Sequence, residues 1–130
     1  MQKVLFLDDN PDRHNWIDVT YSGCEVIHCY TLDQFVDALE THDSFDVISL
    51  DHDLNDFDSK SVSFDGQEAT GLDACGFLVN ERFRAKMPER ILIHSVNPCG
   101  AQNMRAFLQS RGVTVYWSPF CADHTGYQNG

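Results

Sequence analysis

The most constraining feature of this sequence is a regular alternation between continuous apolar runs and segments of helical periodicity. Continuous apolar runs, typical of strands buried on both faces, occupy residues 3–8, 25–30, 46–53, 90–96 and 113–117. The segments between them, residues 11–20, 31–40, 71–87 and 100–110, are interpreted as helices, with apolar side chains at helical spacing. The order β-α-β-α-β-α-β-α-β predicts a parallel sheet covered by helices on both faces.

Local signals mark the ends of several predicted helices. Thr31 is a good N-cap for the second helix, Pro88 stops the third, and Gly112 closes the fourth. The side chains predicted to face the core from the helices are Trp16, Ile17, Val19, Leu32, Phe35, Val36, Leu39, Leu72, Cys75, Phe77, Leu78 and Phe83. For five strands in a three-layer α-β-α fold, the leading order is the flavodoxin-like 2-1-3-4-5.

The chain length fits one domain, and we expect residues 1–130 to form a single unit. Residues 54–70 are rich in Asp and Ser, with Phe57 and Phe64 as the only large apolar side chains. A loop of this length is either a functional lid or a disordered segment. The tail, residues 121–130, is polar and too short for another full helix, so the last helix of such a fold is missing or vestigial.

The composition bounds the partners and the compartment. A net charge of -11 with nine Lys and Arg residues argues against binding long duplex nucleic acid. A small phosphorylated ligand stays possible because a metal ion can neutralise it, although the acidity can also serve solubility alone. No run is apolar enough for a bilayer, and the first residues do not resemble a signal peptide. The five cysteines are odd in number and lack CxxC spacing, which favours a reducing, cytoplasmic location. That cytoplasm would be bacterial, or the host's if the chain is encoded by a phage.

Acidic side chains follow the two strands on either side of the predicted switch in strand order. Asp8 and Asp9 end the first strand, and Asp51 ends the third. Open parallel sheets bind ligands at this edge. Three converging carboxylates repel one another, and a hard cation such as Mg²⁺ or Mn²⁺ relieves that repulsion. Alternatively, some of these acids only cap helices or loops, as Asp9 can before the first helix.

Two histidines at neighbouring strand ends are candidates for proton transfer. His94 ends the fourth strand, and His52 lies beside Asp51. Successive strand residues point to opposite faces, so His52 and Asp51 face one ligand only if the strand has already ended. A lone histidine near a core is more often structural, which is the interpretation favoured for His28.

Three further residues have the chemistry to bind a phosphate. Ser95 can bind a phosphate oxygen, Asn97 can donate a hydrogen bond, and the guanidinium fork of Arg13 suits phosphate. The alternative role of Arg13 is a surface ion pair with Asp12 or Asp9.

These motifs resemble the receiver domains of two-component signalling. The resemblance implies that Asp8 and Asp9 bind magnesium, that Asp51 accepts a phosphoryl group and that Ser95 contacts it. The chain departs from that pattern after the fifth strand, where Ser118 stands at the place of the receiver lysine. No lysine follows Lys86, which argues against phosphorelay switching.

A closer resemblance is to the cyclic-phosphate processing receiver domain family. It rests on LDD at residues 7–9 followed by Arg13 and Trp16, SLDHDL at 49–54, TGLD at 70–73 and HSVNPCG at 94–100. SLDHDL together with the HSxNPxG pattern is a specific combination, and the resemblance covers nearly the whole chain.

The leading hypothesis is a metal-dependent phosphoesterase that opens a small cyclic phosphate, such as a cyclic nucleotide or a 2′,3′-cyclic end. In it Asp8, Asp9 and Asp51 hold Mg²⁺ or Mn²⁺, with Asp53 and Asp73 as groups that support the metal ligands. The two rivals are a receiver phosphorylated on Asp51 and a module that captures a cyclic nucleotide without cleaving it.

Overall fold

A computed structural model describes residues 2–62, 67–88 and 90–119 of the chain. In chain order its elements are β1 (Lys3–Leu7), α1 (Pro11–Thr20), β2 (Glu25–Cys29), α2 (Leu32–Thr41), β3 (Val47–Leu50), β4 (Asp53–Asp56), β5 (Ala69–Thr70), α3 (Gly71–Leu78), α4 (Glu81–Arg84), β6 (Arg90–Ile93), α5 (Pro98–Ser110) and β7 (Val115–Trp117).

Five parallel strands form the main sheet in the order β2-β1-β3-β6-β7. When only the five strands of the main sheet are numbered in chain order, this order reads 2-1-3-4-5. The predicted flavodoxin-like order is therefore confirmed. The central strands β1 and β3 are buried on both faces, as their continuous apolar sequences require. The order switches between β1 and β3, whose carboxyl ends therefore lie side by side.

The two faces of the sheet are covered unequally by the described helices. Leu5, Ile48 and Ile91 point to the face whose core includes side chains from α2, α3 and α5. Phe6, on the other face, contacts His14 of α1 through an edge-to-face ring pair. The three-layer α-β-α architecture is thus confirmed, with α1 as the described helix that packs on Phe6.

Side chains cap the N-termini of α2 and α3 by accepting hydrogen bonds from free backbone amides. Thr31 caps α2, as predicted, by accepting a hydrogen bond from the Gln34 amide at 3.2 Å. Thr70 and Asp73 form a reciprocal capping box at the start of α3. Asp73 is therefore engaged in starting a helix.

Several predicted boundaries and orientations were wrong, including the end of the fourth strand, predicted at residue 96 and found at Ile93. The third strand ends at Leu50 instead of residue 53, since Asp53 begins the separate strand β4. The third helix, predicted over 71–87, ends at Leu78, and the short helix α4 follows it. Val19 and Leu72 are 77% and 37% exposed, because the apolar stripes of α1 and α3 are narrower than the sequence indicated.

The segment 54–70 begins and ends in a two-stranded antiparallel sheet formed by β4 and β5. Its first half is tied to the start of α2, where Asp56 accepts a hydrogen bond from the Leu32 amide at 2.9 Å. Asp33 accepts hydrogen bonds from the amides of Lys60 and Ser61. Residues 63–66, which include Phe64, lie outside the described residues, and closure of this segment over a ligand stays a prediction.

The predicted polar tail, residues 121–130, also lies outside the described residues. Whether the last helix is missing or vestigial therefore stays a prediction. Among the helices that the structure describes, none combines the length and apolar character needed to cross a membrane.

Candidate metal and phosphate site

Three buried polar side chains stand immediately after three adjacent strands. Asp8 follows β1, Asp51 follows β3 and His94 follows β6, and each is at most 4% exposed. Their backbone amides continue the sheet ladder, donating to Cys29, Leu7 and Leu50 carbonyls at 2.9–3.0 Å. One candidate ligand atom from each of the three side chains lies within 4.8 Å of the others. The sheet therefore brings Asp8 and Asp51 together, as the sequence predicted.

Asp8 is held by three hydrogen-bond donors. The Asn10 amide donates to Oδ1 at 2.8 Å, while His94 Nε2 and Arg13 Nη1 approach Oδ2 at 2.8 and 3.2 Å. Burial acts to raise the pKa of Asp8, but the hydrogen bond with His94, together with Asn10 and Arg13, lowers it overall. Asp8 is thus an anion whose charge is stabilised by the protein itself.

Asp51 lies beside Asp8 in a different environment. Its nearest described cation is Arg13, whose Nη1 is 3.7 Å from Oδ2. Burial, followed by the neighbouring charge of Asp8, raises the pKa of Asp51 to about 7, against the opposing effect of Arg13. A cation that approached both carboxylates would remove the main electrostatic cost of ionising Asp51.

His94 lies beneath Asp8 in the interior and is fully buried. Its Nδ1 contacts Ser49 Oγ at 2.8 Å, its Nε2 contacts Asp8, and its ring stacks on Phe6 at 4.6 Å between centroids. Burial lowers the pKa of His94, although the bond and charge of Asp8 act in the opposite direction. Both ring nitrogens are therefore occupied by protein partners.

A cleft of about 440 Å³ opens at this edge of the sheet, beside Asp51; Asp8 is fully buried and does not line it. The lining residues are Asp9, Asn10, Pro11, Arg13, Asp51, Asp53, Asn55, Ser95 and Val96. Asp9 Oδ2 accepts a hydrogen bond from Asn55 Nδ2 at 2.8 Å, which connects the end of β1 to β4. The cleft therefore carries three carboxylates, a guanidinium and a hydroxyl within one small volume.

The remaining predicted site residues divide between the cleft and its supports. Ser95 lines the cleft, and its hydroxyl accepts from the Asn97 amide at 3.1 Å. Asn97 caps α5 by accepting from the Gly100 amide, and it donates to Asp53 Oδ2 at 3.1 Å. His52 bonds the other oxygen of Asp53 at 2.9 Å. Asp53 lines the cleft. Asn97 and His52 each hold one oxygen of Asp53 and are not among the lining residues.

Asp73 is not brought to this cleft. Its carboxylate accepts the Thr70 amide at 2.9 Å, and it lines a separate depression of about 470 Å³ formed with Phe77 and Phe107. The contribution of Asp73 that the structure describes is the start of α3.

Two glycines in the recognised motifs allow close packing around the site. A Cβ at Gly71 would overlap the backbone carbonyl of Asp51, and one at Gly100 would overlap the ring of His52. Gly71 also donates its amide to the His52 carbonyl at 2.9 Å. These glycines are therefore needed to seat α3 and α5 against the residues that follow β3.

A chain of histidines leads from Asp8 to the protein surface. His14 Nε2 lies 2.7 Å from the Asp8 carbonyl oxygen, His14 Nδ1 lies 2.6 Å from His28 Nδ1, and His28 Nε2 lies 2.8 Å from Asp18. His28 is thus structural in its contacts, in line with its interpretation from the sequence. His14, which burial gives a lowered pKa, anchors α1 beneath Asp8.

The oxygen-rich cleft fits a hard divalent cation. Asp8, Asp9 and Asp51 offer carboxylate oxygens, the donors that Mg²⁺ and Mn²⁺ prefer. The Nε2 of His94 is engaged on Asp8, and the carboxylates that line the cleft, Asp9, Asp51 and Asp53, offer oxygen ligands. The raised pKa of Asp51 agrees with a site whose second carboxylate lacks a sufficient counter-charge.

Comparison with known proteins agrees with this geometry. The model of the cyclic-phosphate processing receiver domain family matches residues 3–110. The chain belongs to this family. A search of curated proteins found no match.

Solved structures share the fold of this receiver domain at low sequence identity. A signal receiver domain of a two-component histidine kinase from Clostridium thermocellum is 17% identical, with a TM-score of 0.62 over 98% of this chain and 94% of its own. A CheY-like receiver domain from Methanospirillum hungatei is 16% identical, with a TM-score of 0.62 over 92% and 82%.

A third similar structure is a response regulator from Burkholderia pseudomallei with a phosphorylated aspartic acid, calcium ion and citrate. It is 15% identical with a TM-score of 0.60 over 90% of this chain, which spans 59% of that protein. These likenesses establish the fold alone.

Sequence reasoning missed two residues of the site. Asn55 adopts a positive φ of 49° and reaches Asp9, but it lay in a segment interpreted as a loop or lid. Ser49 stood inside the SLDHDL motif without an assigned role. Its place two residues before Asp51 on a buried strand was the signal available, since a buried hydroxyl needs a partner.

Proposed function

We propose that this receiver domain binds a divalent cation at Asp8, Asp9 and Asp51 and opens a small cyclic phosphate in the cleft above them. The observation that carries the proposal is the buried Asp8–Asp51 pair, in which the pKa of Asp51 rises to about 7. The family description, which names cyclic-phosphate processing, supports the same reaction class.

The cation would supply charge neutralisation, polarise the phosphoryl group and lower the pKa of an attacking water. The protein would fix its ligands in advance. Asp8 would be held in place for it by the Asn10 amide on Oδ1 and by His94 and Arg13 on Oδ2. Asp9 is oriented by Asn55.

The phosphate would be oriented by Arg13 and Ser95, both of which line the cleft. The guanidinium offers paired donors for non-bridging oxygens. The Ser95 hydroxyl accepts from the Asn97 amide and so keeps its own proton available for donation to the ligand. Asn97 itself would act indirectly, by holding Asp53 and the start of α5.

Proton transfer by His94 or His52 stays a prediction. The contacts of His94 with Ser49 and Asp8 favour a role in holding Asp8, and those of His52 with Asp53 favour a role in holding the cleft wall. Asp51 lines the cleft and has a pKa near neutrality, which suits the transfer of a proton when it is not bound to a cation.

The test incubates the chain with Mg²⁺ or Mn²⁺ and a panel of cyclic phosphates and follows the products by phosphorus NMR. The panel spans 2′,3′-cyclic and 3′,5′-cyclic mononucleotides and cyclic oligonucleotides. We expect ring opening of at least one class that requires both the cation and Asp51. The variants are Asp51→Asn and, as a matched control, Asp43→Asn, which removes an exposed carboxylate that precedes β3, whereas Asp51 follows it.

The outcomes separate the candidate functions. Ring opening that survives in Asp43→Asn and is lost in Asp51→Asn supports the esterase. Tight binding with every ligand recovered intact would instead support a module that captures cyclic nucleotides. Ring opening that persists without added cation, in the presence of a chelator, would contradict the metal-dependent reaction.

A second candidate is a receiver phosphorylated on Asp51. It is favoured by the position of Asp51 after β3, where it lines a cleft that also carries Arg13. It predicts a stable acyl phosphate after treatment with acetyl phosphate and Mg²⁺, visible by intact mass and absent in Asp51→Asn. Against it stands Ser118 at the end of β7, where the receiver pattern has a lysine.

A further inference from the structure

A buried chain of hydrogen bonds runs from Ser49 on β3 through His94 to Asp8. The Ser49 hydroxyl lies 2.8 Å from His94 Nδ1, and His94 Nε2 lies 2.8 Å from Asp8 Oδ2. Ser49, His94 and Asp8 are 1%, 0% and 0% exposed. The serine is therefore sealed from any ligand, and its effect on the site passes through the histidine.

The groups that can donate and accept fix the direction of both hydrogen bonds, Ser49 to His94 and His94 to Asp8. An ionised carboxylate only accepts, so the contact with Asp8 requires a proton on His94 Nε2. Arg13 already supplies a positive charge to Asp8, and burial disfavours a second charge on the ring. In a neutral ring Nδ1 then has no proton and must accept, which makes the Ser49 hydroxyl the donor.

Loss of the Ser49 hydroxyl would leave His94 Nδ1 as a buried acceptor without a donor. The Asp8 carboxylate would still keep the proton on Nε2, because it can only accept. The ring would lose the contact that fixes its orientation from the β3 side, and the hydrogen bond from Nε2, one of the three that hold Asp8, would weaken. The carboxylate would no longer be held in one orientation.

We propose that Ser49 is a positioning residue of the metal centre, whose hydroxyl donates to His94 Nδ1 and holds the ring in the orientation that donates to Asp8. This inference rests on the proposed cation site and assigns a function to a side chain that cannot touch the cation. Partners of metal ligands in this position typically change metal affinity by 10- to 100-fold. The expected loss for Ser49→Ala is about tenfold in Mn²⁺ affinity, at the lower end of that range.

The matched control for Ser49→Ala is Val47→Ala on the same strand. Val47 is 2% exposed and points to the same face of β3, two residues earlier. Its truncation lowers the melting temperature by creating a cavity but leaves His94 its partner. We expect Val47→Ala to keep the Mn²⁺ affinity within about twofold of wild type, against the tenfold loss in Ser49→Ala. Ser49→Cys, which keeps the size but donates weakly, should fall between them.

The decisive readout is the ¹⁵N spectrum of the His94 ring in the metal-free chain, combined with Mn²⁺ titrations of the same samples. The inference predicts a proton on Nε2 alone in both proteins, with the Nδ1 resonance of Ser49→Ala shifted toward that of an imidazole nitrogen that accepts no hydrogen bond. A wild-type ring protonated at Nδ1 alone, or equal Mn²⁺ affinity in Ser49→Ala and wild type, would overturn it. Failure of wild type to bind Mn²⁺ would overturn the proposed metal centre, and the ring spectrum would then judge the Ser49 assignment by itself.

Discussion

The ends of β1 and β3 present two buried carboxylates that the fold treats in opposite ways. Asp8 accepts hydrogen bonds from Asn10, His94 and Arg13, and its pKa is lowered despite burial. Asp51 has Arg13 at 3.7 Å as its nearest described cation, and its pKa is raised to about 7. The protein thus builds one stable anion and leaves the second dependent on an added positive charge. This asymmetry is what we expect of a site made to receive a cation.

The largest effect should come from removing the stable anion. Asp8→Asn replaces the carboxylate that accepts from Asn10, His94 and Arg13 with a neutral amide, whose nitrogen cannot accept a hydrogen bond. We expect it to lower the free energy of unfolding by about 3 kcal/mol, because breaking a buried charged pair leaves partners unsatisfied. Thermal unfolding of the metal-free chain checks this, with a fall of roughly 10 °C expected. A variant as stable as wild type would contradict the account of Asp8.

Removing the Asp51 carboxylate should raise the free energy of unfolding, the opposite of the effect expected for Asp8. Because the pKa of Asp51 is raised from 3.8 to about 7, the folded chain holds one more proton than the unfolded chain between these values. The contribution of Asp51 to the free energy of unfolding therefore falls as the pH rises through this window and stays low above it.

Asp51→Asn should abolish that slope. We expect the metal-free variant to be more stable than wild type at about pH 8, by roughly 2 kcal/mol, and closely similar to it near pH 4. Denaturant unfolding at both pH values measures the difference. A loss of stability at about pH 8 would show that Asp51 is already satisfied in the folded chain.

Arg13 connects the two carboxylates and should affect the two proposed ligands oppositely. Its Nη1 approaches both Asp8 and Asp51, at 3.2 and 3.7 Å, where it competes with an added cation. Arg13→Gln should tighten Mn²⁺ binding by about threefold and weaken binding of inorganic phosphate to the Mn²⁺-loaded chain by about tenfold. Calorimetric titrations test both, with Arg105→Gln on the exposed side of α5 as the control for net charge. Weakening of both ligands would refute the competition.

The smallest effect on cation binding should come from Asn55, which orients Asp9 through an exposed hydrogen bond. Asn55→Ala removes the 2.8 Å hydrogen bond to Asp9 and should weaken Mn²⁺ binding by about twofold to threefold, as expected for an exposed contact. Asn55→Gly relieves the positive φ of 49° as well, so it should show the same loss of affinity without a loss of stability. Unchanged affinity in both variants would remove Asn55 from the site.

The sequence was sufficient to predict the sheet order and the meeting of Asp8 with Asp51, since continuous apolar strands and the parallel crossover rule fix which ends are neighbours. It was also sufficient for Thr31, whose capping role is local. Such inferences depend on the strand pattern or on residues close together in the chain.

What the sequence could not predict depends on side chains that meet from distant segments. Val19 fits an inward stripe on α1, yet it is 77% exposed. The contact of Ser49 with His94 spans 45 residues, and that of Asn55 with Asp9 spans 46. The strand pattern placed His94 at the edge of the sheet, but only the packing of Phe6 and Ser49 turns its ring inward.

The most direct test of the central claim is a calorimetric titration of the metal-free chain with Mn²⁺, repeated with Asp51→Asn and the exposed control Asp43→Asn. The account predicts one site in wild type, near-identical binding in Asp43→Asn, and a loss of affinity of at least about 100-fold in Asp51→Asn. Equal Mn²⁺ binding by wild type and Asp51→Asn would contradict the claim that Asp8 and Asp51 together form the cation site.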